Sequence, residues 1–108
     1  MSSFDDFVEA IKNGARDLAK ETFDGFENEA RDDAEAFLEK TKQDLQRWTN
    51  LLDQGELTEQ DFSDLVLAKA ALAEVHGLRQ KGVALTKLER FRTELIKLVI
   101  DTAFDVFL

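Results

Sequence analysis

A metal centre or an acid–base pair in this chain would have to be built from one histidine and 23 carboxylates, because cysteine is absent. The histidine, His76, stands in the run Glu74-Val75-His76. A di-iron bundle needs Glu-x-x-His on each of two helices; here the spacing is one residue short and occurs once. His76 falls one turn beyond Leu72 and Ala73, at the edge of an apolar stripe, and reads as a packing or interface residue. The acids Glu27, Glu29, Asp32, Asp33 and Glu35 are dense enough to suggest calcium. They lack the alternating Asp/Asn positions and central Gly of a calcium loop, and read as a solvated helix face. No Gly-rich phosphate loop, Ser-His-Asp set or G-x-S-x-G elbow is present. Trp48 and the Phe residues recur mostly at helical spacing, which assigns them to core or interface before ligand stacking. No catalytic, cofactor-binding or metal-ligating residue is therefore expected, and the chain reads as a non-enzyme.

Composition narrows the partners. The 108 residues suit one domain, 1–108, and 44% hydrophobic with 34% charged residues is a folding composition. A net charge of −9 argues against nucleic acid, whose phosphates require clustered cations. Residues 1–64 hold 18 acids and 7 bases, and residues 65–108 hold 5 acids and 7 bases, so the two parts carry about −11 and +2. The start, MSSFDDFVEAIK, has no basic region before an apolar core, as a signal peptide would. The most apolar stretch, Leu95 to Leu108, is short and interrupted by Lys97, Asp101 and Asp105. A cytoplasmic location is the expectation.

The elements that must position these side chains are helices. Proline is absent and only five glycines occur, so helix breakers are few. One interruption is clear, at 54–57. Gly55 is suited to close an incoming helix in the left-handed conformation. Thr58 with Asp61 resembles a capping box, and Leu57 with Phe62 occupies the positions of a hydrophobic staple. Ser3 with Asp6 makes a weaker start signal. Between these points the apolar residues keep an eleven-residue beat: Phe4, Ala15, Phe26, Phe37 and Trp48, then Phe62, Ala73, Ala84, Leu95 and Val106. Such a period, about 3.67 residues per turn, belongs to nearly straight helices. The expectation is two helices, about 3–53 and 58–107, each about 75 Å long.

Folded back at Gly55, these helices form an antiparallel hairpin in which facing residues have numbers summing to about 110. Trp48 then meets Phe62, Phe37 meets Ala73, Ala15 meets Leu95 and Phe4 meets Val106. Two inner-stripe acids acquire partners in this register: Asp33 faces Gly77 and Asp44 faces Lys69. The acidic run 27–35 lies opposite Arg79 and Lys81. The rival arrangement breaks the helices near Gly25, near Gly82, or at both, giving a three- or four-helix bundle. In it Lys81-Gly82-Val83 is a C-terminal cap and Thr86 with Glu89 a second capping box.

A two-helix hairpin covers one stripe per helix, and this sequence has more. Leu38, Leu45, Leu67, Leu78, Ile96, Ile100, Phe104 and Phe107 lie off the inner column, and left in water they would exceed the apolar patch a monomer tolerates. They are the expected interface residues of a homodimer or higher oligomer closing a four-helix bundle or coiled coil. The function class that follows is a structural or interaction protein, an assembly or adaptor module binding itself and, as a second class of partner, another protein. The alternative is an amphipathic-helix protein of lipid or membrane surfaces. Eleven-residue repeats resemble those of apolipoprotein-type lipid-binding helices, but the polar face lacks the Lys and Arg that anionic membranes favour.

Overall fold

The computed structural model describes residues 3–108, with side chains from Phe4 onward; the cap expected from Ser3 rests on a side chain outside those described. The described chain is all helical, with no strand among the described residues. The helices are α1 Ser3–Phe23, α2 Glu27–Asp53, α3 Glu59–Leu67, α4 His76–Gln80 and α5 Leu85–Phe107, with a 3₁₀ turn at Ala70–Leu72 between α3 and α4.

The turn at 54–57 forms as its residues dictate. Gly55 takes φ +76°; its N–H reaches the Leu52 carbonyl, and the Glu56 N–H reaches that of Leu51, the paired bonds of a Schellman cap. Thr58, extended at φ −76°, ψ 161°, begins α3 by accepting a hydrogen bond from the Asp61 N–H at 3.0 Å. Phe62 is fully buried four residues on, and Leu57 packs against the core.

The two 75 Å helices, however, are not continuous. The Cα envelope measures 42 × 27 × 21 Å, and each expected helix is broken, as in the rival arrangement. The first breaks where Asp24, Gly25 and Phe26 all have positive φ. Gly tolerates this freely and Asp tolerably, whereas for Phe26 it is a strained conformation. The second breaks over 68–84. Gly82, at φ +78°, donates to the Arg79 carbonyl as the cap after α4, as its neighbours suggest. The capping box at Thr86 does not form: α5 starts at Leu85, its N-cap is Ala84, and no side chain caps it.

What survives is the register. Asp33 bonds to Gly77 and Leu78, Asp44 to Lys69, Glu29 to Lys81 and Lys40 to Glu74. Along α1, Phe7 packs on Phe107 and Phe23 on Phe91, and Leu98 lies over Gly14. These partners sum to between 110 and 114. The molecule is the expected hairpin folded in half: α1 doubles back onto α2, and α5 follows by doubling back along α1.

The fold-back supplies the cover that the straight hairpin lacked. Phe7, Phe37, Phe62, Phe91, Ile11, Leu45, Leu52, Leu78, Leu95 and Val99 are fully buried. Each large aliphatic or aromatic side chain so buried contributes roughly 1.5–3 kcal/mol, more than a helix interruption costs. Alanines 15 and 19 on α1 and alanines 30 and 34 on α2 are also fully buried, small enough to let the helix backbones approach.

Candidate interaction groove

The eight residues expected at an oligomer interface separate into two groups. Leu38, Leu45, Leu78 and Ile96 belong to the chain's own core. Their apolar surface is already satisfied, which removes the reason for placing them between copies. Ile100, Phe104 and Phe107 are half-buried beside that core, Phe104 against Phe62 and Phe107 against Phe7. Leu67 alone of the eight is truly exposed, at 55%.

Leu67 stands at the C-terminal end of α3, and there the structure opens a groove of about 370 Å³ between α3 with its following turn and α5. Leu67, Ala70, Ile96 and Ile100 form its apolar lining; Glu89, Arg92, Thr93 and Lys97 form its rim. The α5 contribution is a single helix face, since positions 89, 93, 96 and 100 recur at three- and four-residue steps. Leu85, 69% exposed, extends that face by one turn. Arg92 fixes one end of the groove. Its guanidinium donates to the Glu89 carboxylate at 2.9 and 3.3 Å and to the Ala70 carbonyl at 3.3 Å, tying the 3₁₀ turn to α5. Lys97, by contrast, is exposed at the rim.

A second cleft, about 290 Å³, lies between α1 and α2, lined by Phe4, Val8 and Leu38 and edged by Asp5, Glu9, Glu35, Glu39 and Lys42. It is narrower in apolar content and strongly acidic. A third, about 230 Å³, is bounded by Phe23, Phe26 and the loop from Lys81 to Ala84.

The titratable groups form ties between elements. Lys12 of α1 donates to Glu35 of α2 at 3.0 Å, and this hydrogen bond with its charge holds the Glu35 carboxyl below its ordinary value. Lys69 does the same to Asp44 at 3.0 Å, and Lys40 to Glu74. His76 is exposed and lies 3.4 Å from Glu74. No group of three or more His, Asp or Glu side chains converges as a metal site among the described residues.

Sequence reasoning identified Leu67, Ile96 and Ile100 but not the groove that gathers them, nor Arg92 and Ala70. The gathering depends on the chain leaving helical conformation after Leu67, within a run rich in alanine that carries no local stop signal. No described helix is long and apolar enough to cross a membrane. No protein-family model matches the chain, and no curated protein or solved structure matches it.

Proposed function

We propose that this chain is a cytoplasmic, non-enzymatic interaction module whose docking surface is the groove between α3, the turn after it and α5. The observation that carries the reading is the exposed Leu67 standing over a recess lined by Ala70, Ile96 and Ile100, with charged residues confined to its rim. An apolar centre within a polar rim is the general anatomy of a protein–protein contact, and a straight helix edge beside a recess suits a partner helix. Self-association is the first use we assign to it. The acidic character of the remaining surface supports a protein partner over nucleic acid or an anionic membrane.

Light scattering coupled to size exclusion tests this. Above micromolar concentration the wild type is expected at twice the 12.3 kDa chain mass or more, with Leu67→Glu and Ile100→Glu shifted toward the monomer and Arg31→Glu unchanged. A wild type that stays monomeric into the millimolar range overturns the self-association reading. Binding to neutral or anionic vesicles, abolished by the same two variants, would transfer the groove to the lipid-surface alternative.

A further inference from the structure

The groove face of α5 is self-complementary, and we infer that its occupant is a second copy of this chain, joined across a two-fold axis at Thr93. The inference rests on the groove being a docking surface and goes on to specify what fills it.

The charges on this face are placed symmetrically about residue 93. Glu89 lies four residues before Thr93 and Lys97 four residues after it, all three on the groove rim. When two copies of α5 run antiparallel with their Thr93 residues opposed, Glu89 of each, whose carboxylate also accepts from Arg92 of its own chain, meets the partner's Lys97, so the contact contains two identical Arg92–Glu89–Lys97 charge clusters. The same register sets Leu85, the most exposed large apolar side chain of the molecule's described part, opposite the partner's Asp101 and one residue away from the partner's half-buried Ile100. Apolar side chains therefore flank the charge clusters at both ends. Thr93 is exposed and short, so two backbones can approach at the axis. Its hydroxyl is occupied internally, donating to the Glu89 carbonyl at 3.0 Å, and demands nothing from the partner.

Other pairings of these helices lack that match. In a parallel contact Glu89 opposes Glu89 and Lys97 opposes Lys97, which is repulsive. An antiparallel contact shifted by four residues sets Glu89 against Asp101 or Thr93 and Lys97 against Thr93 or Leu85, so neither ion pair forms. A two-fold contact of this kind is closed, so it stops at the dimer.

The absence of cysteine from the sequence permits a direct test. Helices packed about 8–10 Å apart bring facing Cα atoms at the axis within disulfide range. Residues four positions from the axis are separated from their own counterparts by about 12 Å along the helices. Thr93→Cys is therefore expected to form a disulfide-linked dimer rapidly under mild oxidation. Glu89→Cys and Lys97→Cys are each expected to do so poorly alone but to cross-link with each other when mixed. Independently, Glu89→Lys and Lys97→Glu should each weaken the dimer about tenfold or more, and the double swap should restore it. Circular dichroism on each variant confirms that the exposed substitutions leave the helices intact. If the wild type dimerises but cross-linking is no faster at 93 than at 97, the two-fold register is wrong and the groove reading stands. A wild type that remains monomeric at every concentration overturns the second-copy inference and leaves the groove to a helix of another protein.

Discussion

The carboxylate of Asp33, on α2, closes the N-terminus of α4 by taking two backbone hydrogen bonds, from the Gly77 N–H at 2.8 Å and the Leu78 N–H at 3.0 Å. Gly77 permits this approach because a Cβ there would sit 2.9 Å from Asp33 Oδ1. The bond also explains Val75, a β-branched residue at φ +49°. That conformation costs on the order of 1–3 kcal/mol, and it turns the amides of α4 toward the carboxylate. Asp33→Ala is therefore expected to destabilise by about 2–3 kcal/mol, since hydrogen bonds to a charged group are lost and two donors are left unpaired. Gly77→Ala should also destabilise, by displacing Asp33. Urea unfolding followed by Trp48 fluorescence measures both, and an unchanged midpoint for Asp33→Ala would remove the cap from the account.

Thr58→Ala should cost about 1 kcal/mol, the usual effect of deleting an N-cap acceptor, because Thr58 Oγ1 serves the Asp61 N–H. Thr58→Ser should retain most of the stability. Chemical denaturation of the three proteins side by side decides the matter.

Gly14 and Leu98 should behave as a coupled pair. Alanine at 14 would gain about 1 kcal/mol of helix propensity, but its Cβ would lie 2.8 and 2.9 Å from the Leu98 methyls. Gly14→Ala is expected to be neutral or destabilising in the wild type and stabilising by up to about 1 kcal/mol beside Leu98→Ala. Equal effects in the two backgrounds would show that Leu98 yields without cost.

Acid should act in two stages. Glu35, Asp44 and Glu74 are held below their ordinary values of 4.5, 3.8 and 4.5, in each case first by a lysine hydrogen bond. A depressed carboxylate stabilises the fold above its unfolded pKa, and that contribution is lost as pH falls through the folded pKa. Acidification from neutral pH also lowers the net negative charge, which relieves the self-repulsion of a chain at −9. The melting temperature is expected to be level or slightly raised from pH 7 to about 4.5, then to fall at lower pH. Glu35→Gln should lessen the fall. A steep loss already between pH 7 and 5 would contradict the assignment of the acid-sensitive stability to these three depressed carboxylates.

Helical class, the turn at Gly55, the cap at Thr58 and the register of facing residues were all readable from the sequence alone, because each is set by spacing. An apolar period and a capping residue act over a few positions, and an antiparallel register follows once one turn is located. Asp33 with Gly77 and Asp44 with Lys69 were found in this way across 44 and 25 residues of chain. The breaks at 24–26 and 68–84 were decided by the tertiary structure. Asp24-Gly25-Phe26 offers only a modest local preference for bending, and Ala68 to Glu74 offers none; what stabilises the bends is the second apolar stripe each helix buries by folding back, together with the Asp33 carboxylate of α2, which accepts from the Gly77 and Leu78 amides at the start of α4. An apolar stripe states how much surface must be covered. Whether the chain's own return or another molecule covers it is a property of the whole packing, and here the return buries Leu38, Leu45, Leu78 and Ile96 while leaving Leu67 and Leu85 outside.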